Sequence, residues 1–292
     1  MEVTYPRMST EPRVSVIIPC FNRAHLLREC LLSLSEVASP DWEVIVVDDG
    51  STENIRSVVE TTMPTARYIR QDNQGAGAAR NTGIKAARGR YIRFLDSDDY
   101  LLPGEGLQAQ LDLMEADPEI GLVYGQSIKV NRLGKNTGVR RSPWGTGDYV
   151  RDGLEEMSKL LFYSYMTTST TLVRRAALED VGLFRVDLPT GEDWELWLRI
   201  ARRYKVGYID LPISFYRVHP ESITGGKSQA EQMLRVHRRV LDELFSDPKV
   251  TDLYAHMLPE LYLDIELRAA HSAWRSLQPK ECRRYTLRAL MS

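Results

Sequence analysis

The chain has 292 residues, 43% of them hydrophobic and 27% charged, the balance of a folded globular protein rather than a disordered one. Its formal net charge of -2 gives no basic excess for a phosphate backbone, which argues against nucleic acid as the main partner. Cys20, Cys30 and Cys282 are too few and too irregularly spaced for a disulfide framework or a zinc pattern, so a cytoplasmic setting is expected.

Residues 1–12 are polar, lack the apolar core of a signal peptide and read as a loose arm. "VSVIIP" (14–19) is a short unbroken apolar run, the mark of a strand buried on both faces. Leu27, Leu31 and Leu34 follow at helical spacing. "WEVIVVDDG" is a second buried strand ending in Asp48 and Asp49, and Ser51 is a plausible N-cap for a helix from about 53 to 61. "ARYIR" reads as a third strand, "NQGAGAARNTGIKAARG" as a glycine-bearing loop entering a helix, and "YIRFL" as a fourth strand that ends in Asp96, Asp98 and Asp99.

Strands alternating with helices describe a mainly parallel α/β sheet, whose ligands bind beyond the carboxyl ends of the strands. The acidic pairs at 48–49 and 96–99 are therefore expected to meet in space. The second half is less regular. A helix is expected at 104–116, a strand and turn in "IGLVYGQSIKV", a loop or ragged hairpin at 131–147, and a helix near 153–162. "TTSTTLVRR" reads as an exposed strand. "GEDWELWLRIARRY" reads as a helix with Trp194, Trp197, Leu198 and Ala201 on one face, and "VGYID" and "ISFYRVH" as two strands. From about 226 the pattern is helical, with breaks at Pro248 and Pro279. No run approaches the roughly 20 apolar residues of a membrane span, so any membrane contact would be peripheral.

Taken singly, each polar motif has two readings. Asp96 and Asp98, at i and i+2 on a strand end, can share one face and hold a divalent cation such as Mn2+ or Mg2+; they can equally form a solvated acidic turn. Asp49 can accept from a base or ribose, or cap a helix. Gly75 and Gly77 permit close approach of a phosphate at a helix start, or simply make a tight turn. Asp193 can be a general base on a rigid element, or with Glu192 complement a helix dipole. Arg217 and His219 alternate on one strand face and can act together. Trp194 is a conceivable sugar platform, but its spacing with Trp197 favours core packing.

The order of these motifs is more specific than any one of them. "VSVIIPCFNR", "VIVVDDGS", "NQGAGAARNTGIKAARGRYIRFLDSDD", "GEDWELWLRIA" and "YRVHPESIT" together closely resemble the family 2 glycosyltransferases of the GT-A fold, over about residues 12 to 225. The resemblance implies a catalytic domain at 13–225, made of a nucleotide-sugar half (13–103) and an acceptor-side half (104–225), followed by helices at 226–292. It implies inverting transfer from a nucleotide-diphosphate sugar, usually a UDP-sugar, in surface polysaccharide or glycolipid assembly. It places Pro19, Phe21, Asn22, Asp49, Arg80, Asp96 and Arg217 around the nucleotide sugar. Asp96, Asp98 and His219 would hold Mn2+ or Mg2+, and Asp193 would be the base. Position 21 is commonly Tyr in the family and here is Phe, which removes a phenolic hydrogen bond.

Expected partners are the donor and a saccharide or lipid-linked acceptor, with Thr167–Thr171, the 131–147 loop and Trp194 as candidate acceptor contacts. The basic and apolar C-terminal segment is compatible with an anionic membrane, with a second subunit, or with packing on the catalytic domain. A sugar-1-phosphate nucleotidyltransferase would need a basic glycine-rich loop where "PCFNRAHLL" stands, and a non-catalytic binding module would not need Asp193.

Overall fold

The computed structural model describes residues 11–131, 133–218, 229–275 and 278–290. The first half alternates strand and helix: β1 (Val14–Cys20), α1 (Ala24–Val37), β2 (Trp42–Asp49), α2 (Ile55–Thr62), β3 (Arg67–Gln71), α3 (Ala76–Ala86), β4 (Tyr91–Phe94), β5 (Tyr100–Leu101) and α4 (Gly106–Ala116). Every residue of β1 is buried, as a parallel strand covered on both faces requires. β3 carries Arg67 and Arg70 at the sheet margin, where charged side chains discourage further strand pairing.

The second half contains β6 (Ile120–Val130), β7 (Asn136–Arg140), β8 (Tyr149–Arg151), α5 (Gly153–Leu160), β9 (Leu172–Arg174), α6 (Arg175–Val181), α7 (Glu192–Ala201) and β10 (Lys205–Arg217). Then come α8 (Gln229–Leu244), α9 (Pro248–Tyr254), α10 (Leu258–Arg275) and α11 (Pro279–Ala289). Among the described residues ten strands form one sheet in the order β3-β2-β1-β4-β9-β6-β10-β5, with β7 beside β6 and β8 beside β10. β1 to β4 run parallel, β9 is antiparallel to both β4 and β6, and β10 is parallel to β6. This is the expected α/β architecture, with a mixed second half.

Several local expectations change. "VGYID" and "ISFYR" are one strand, β10, which stays continuous through register shifts near Pro212. β6 runs for 11 residues without a turn, and 131–147 contains the returning strand β7. The cap of α2 is Asn54, whose side chain accepts from the Ser57 amide, rather than Ser51. "TTSTT" is not an exposed strand: residues 168–170 form a buried 3₁₀ turn leading into β9. Residues 1–10 lie outside those described.

Two apolar cores lie on the two faces of the sheet. One joins β1 and β2 to α1, α2 and α4 through Val16, Ile18, Leu27, Leu31, Val46 and Leu111. The other joins Phe94, Trp194 and Trp197 to the C-terminal helices through Leu234, Leu241, Ile265 and Ala273. Both tryptophans are 1% exposed, so they serve the core. Trp194 Nε1 donates to the Leu160 carbonyl (2.6 Å), and the His237 ring of α8 packs edge-on against its indole. The helical tail thus backs the element that carries Asp193. Among the described residues no helix is long and apolar enough to cross a membrane.

Candidate active site

β1 lies between β2 and β4, so the carboxyl ends of these three strands make one continuous edge. Pro19 is buried at the end of β1, while the Phe21 ring just beyond is 46% exposed and open to stacking. Asn22 follows with φ 51°, a left-handed conformation that asparagine tolerates better than most residues. Hydrogen bonds hold it there. Its amide donates to Ser51 Oγ, and its Oδ1 accepts from the Thr52 amide and hydroxyl. Asn22 therefore ties the end of β1 to the end of β2.

The two aspartates of β2 divide their work. Asp48 is fully buried and accepts from Tyr68, the Ser51 amide and Arg70. Burial raises its pKa, but these donors outweigh burial and hold it below the usual carboxylate range. Asp49 points the other way along the pleat. Its carboxylate accepts from Gln71 Nε2 (2.7 Å) and from the amides of Gln74 (3.0 Å) and Gly75 (2.8 Å). Gly75 has φ 89° as the cap of α3, a conformation glycine adopts without strain. Asp49 thus shapes the glycine loop.

The acidic groups do not meet as pairs. Cys20 registers with Asp48 and Ile17 with Phe94, so β1 separates the two clusters by two strand spacings, roughly 10 Å. Around 96–99 the charges are balanced by arginines. Arg80, 5% exposed, donates to Asp96 (2.7 Å) and to Glu192 (2.8 Å). Arg23 pairs with Asp98 at 2.8 Å. Arg217 donates from Nε to the Asp98 carbonyl (2.9 Å) and from Nη2 to Glu29 (2.7 Å).

Asp99 is nearly inaccessible. It accepts from Ser169 Oγ (2.6 Å) and the Arg217 amide (3.0 Å), locking the end of β10 to the acidic loop. Burial, with Asp98 and Asp96 adding to it, raises its pKa well above the ordinary range. Position 99 is therefore a buried brace between segments.

α7 is capped by Gly191, which adopts a left-handed conformation, and presents Glu192 and Asp193 in its first turn. Burial and the adjacent Asp193 raise the Glu192 pKa against the opposing pull of Arg80. Asp193 is only partly buried. Its Oδ1 accepts from the Trp194 amide (2.7 Å) and its Oδ2 from Thr168 Oγ1 (2.9 Å). A carboxylate offers about four acceptor positions, so capacity remains for a substrate hydroxyl.

The expected Mn2+ or Mg2+ centre is corrected. Among the described residues no group of three or more His, Cys, Asp or Glu side chains could hold a metal ion. The physical reason lies in the pairings: Asp96 and Asp98 are engaged by Arg80 and Arg23, and Asp99 is turned inward. His219, the third expected ligand, lies outside the described residues. Of the remaining expected residues, Pro19, Phe21, Asn22 and Asp49 share the strand-end edge. Asp96 and Arg80 join that edge to the Glu192–Asp193 turn, and Arg217 closes the far side.

Thr168 and Ser169, expected within the 167–171 stretch to contact the acceptor, are instead buried and bonded to Asp193 and Asp99, and Arg23 has no role among the expected site residues. Arg23 offers a signal, a cation just past a strand end in a sheet that carries an acidic strand end nearby. "TTSTT" offers another: five hydroxyl side chains in succession can be buried only if each is hydrogen-bonded.

The chain matches the family model described as glycosyl transferase family 2 over residues 15–182. An uncharacterized glycosyltransferase of Rickettsia felis is 32% identical over 212 residues, covering 71% of this chain and 33% of that protein. The Escherichia coli protein named UDP-Glc:alpha-D-GlcNAc-diphosphoundecaprenol beta-1,3-glucosyltransferase WfgD is 29% identical over 218 residues, covering 73% and 80%. The chain spans about a third of the length of the first curated relatives it matches. The structure of S. aureus TarS 1-349 in complex with UDP-GlcNAc superposes with a TM-score of 0.62 at 20% identity, covering 94% of this chain and 90% of that one. At that identity the likeness is one of fold.

Proposed function

The chain belongs to glycosyl transferase family 2, and from that premise we propose that it moves a sugar from a nucleotide-diphosphate sugar, a UDP-sugar, to an acceptor hydroxyl with inversion. The observation that carries the reading is the half-buried Asp193, held on a rigid helix that Arg80 links through Glu192 to Asp96 at the strand ends. The Phe21 ring stacks on the base, Pro19 and Asn22 shape its pocket, and Asp49 and Arg80 hold the loop and helix against which the nucleotide lies. Asp96 faces the ribose. Asp193 takes the acceptor proton while the acceptor oxygen bonds to the anomeric carbon, and the bond from that carbon to the diphosphate oxygen breaks. The diphosphate leaves with the electron pair from the opposite face. Arg217 and Arg23, both at the acidic loop, meet its growing charge.

The printed activity of the E. coli relative supports UDP-glucose as a donor to test and a lipid-linked saccharide as an acceptor class. α10, α11 and the residue that caps α11 expose Trp274, Leu287 and Leu290 together with Lys280 and Arg283, a mixture suited to an anionic membrane surface carrying such an acceptor. Thermal-shift titration against UDP-, GDP- and dTDP-sugars tests the donor, because only a ligand that binds the native state raises the melting point. UDP release from UDP-glucose, compared between the parent and Asp193→Asn, tests the chemistry. The variant should bind UDP as the parent does and lose about 10²–10⁴ in turnover. Undiminished turnover removes the base assignment. Failure of all three nucleotide sugars to shift melting removes the transferase reading.

A further inference from the structure

The carboxylate of Asp193 sits on a helix, yet the helix alone does not orient it. The Trp194 amide of the same turn holds Oδ1, and a second torsional restraint must come from another element. Thr168 supplies it, donating from Oγ1 to Oδ2 at 2.9 Å. Thr168 is itself well placed to do so, since it is 4% exposed and part of a turn braced by its neighbours. Thr170 Oγ1 donates to the Thr167 carbonyl (2.8 Å), Thr171 Oγ1 to the Thr168 carbonyl (2.7 Å), and Thr167 Oγ1 is bonded to Ser127 Oγ (2.9 Å). The next residue faces the other wall. Ser169 Oγ accepts from the Asp96 amide (3.1 Å) and donates to Asp99 (2.6 Å). Two consecutive hydroxyls on one rigid turn therefore grip the carboxylate of α7 and the acidic end of β4.

We propose that Thr168 is a positioning residue that fixes the orientation of the Asp193 carboxylate, and that the 168–169 turn sets its distance from the acidic loop. The inference rests on Asp193 being the general base. A carboxylate whose second oxygen is untethered samples rotamers in which it points away from the attacking hydroxyl, and misplacement by an ångström or less is costly to turnover while leaving donor binding intact.

The test uses UDP-glucose with water as acceptor, read as UDP release, on the full chain. Thr168→Val replaces the hydroxyl by a methyl of the same shape. It is expected to lower kcat about ten- to a hundredfold, with KM for UDP-glucose and the affinity for UDP unchanged within about twofold. Thr168→Ser keeps the hydroxyl and should restore most of the lost kcat, and the Ser and Ala pair repeats the comparison should the Val protein fail to fold. A Ser variant as impaired as Val or Ala overturns the inference, as does a parent-like kcat in Val or Ala, or a loss carried by KM. If Asp193→Asn is inactive and the hydroxyl-free Thr168 variants are parent-like, only the positioning role falls. If Asp193→Asn is active, or the parent releases no UDP, the base reading or the transferase reading falls and takes this inference with it.

Discussion

Replacing Arg80 by Met should be the most destabilising single change at the site that leaves the backbone untouched. The guanidinium is 5% exposed and lies between Asp96 and Glu192, with N···O distances of 2.7 and 2.8 Å and the Phe184 ring 5.4 Å away. With charge centres about 4 Å apart and an effective dielectric of about 20, each pair is worth about 4 kcal/mol, about 8 kcal/mol together before desolvation. Desolvating the guanidinium returns several kcal/mol, so the pairs add little over an apolar replacement of all three groups. Removing only the cation is different, because two partly buried carboxylates are left facing each other, at an expected cost of about 3–5 kcal/mol. The Asp96 side chain keeps 28% exposure and Glu192 17%, which favours the lower end.

Urea unfolding of parent, Arg80→Met, Glu192→Gln and the double variant measures this, and the double variant should recover about 1–2 kcal/mol relative to Arg80→Met. The deficit should also depend on pH. Burial already raises Glu192, and loss of Arg80 removes the opposing pull. A carboxyl raised in the folded state contributes stability that is present below its unfolded pKa and lost as pH rises through its folded pKa. The deficit of Arg80→Met is therefore largest at neutral pH and shrinks toward pH 4. A loss under about 1 kcal/mol at pH 7, the size of an exposed pair, would refute the view that Arg80 is the charge link between β4 and α7.

Glu156 is fully buried and accepts from Tyr165 (2.7 Å), Tyr124 (3.1 Å) and Tyr149 (3.4 Å), and burial still raises its pKa above the ordinary range. By the same sign rule, the stability of Glu156→Gln relative to parent should increase as pH rises above the unfolded carboxylate value, by up to about 1.4 kcal/mol per pH unit. A difference that is flat from pH 4.5 to 8 in denaturant titrations would exclude it. For the C-terminal helices, sedimentation with anionic phosphatidylglycerol vesicles should exceed that with neutral phosphatidylcholine and fall with added salt. Equal sedimentation with both would count against a membrane role.

The strand-helix alternation of residues 14–94 was legible because buried parallel strands such as β1 and β2 are written as short apolar runs that end where a polar cluster begins, whereas the two-residue β5 left no such mark. The tryptophan face of α7 was legible for a similar reason, since the 3.6-residue period of Trp194, Trp197, Leu198 and Ala201 marks a buried stripe. The long strands β6 and β10 were harder. Pro212, which lacks an amide donor, lies among the register shifts of β10 rather than ending it. "TTSTT" misled because a run of polar, β-branched residues fits an exposed strand, whereas here the hydroxyls replace missing backbone partners inside a turn.

By itself the sequence determined the fold class, the family and the residue types at the strand ends, because periodicity and motif order are local properties of a chain. Only the tertiary structure decided which partner each charge takes. Asp48 and Asp49 are neighbours in sequence, yet the pleat sends one to Arg70 and Tyr68 and the other to the glycine loop. Asp96 and Asp98 suggested a cation, and in the folded protein they face Arg80 and Arg23. Thr168 lies 25 residues before Asp193 and Arg80 lies 112 before Glu192, distances over which no sequence period operates. Electrostatic neutralisation acts through space, so the identity of the counter-ion depends on how the sheet and α7 come together.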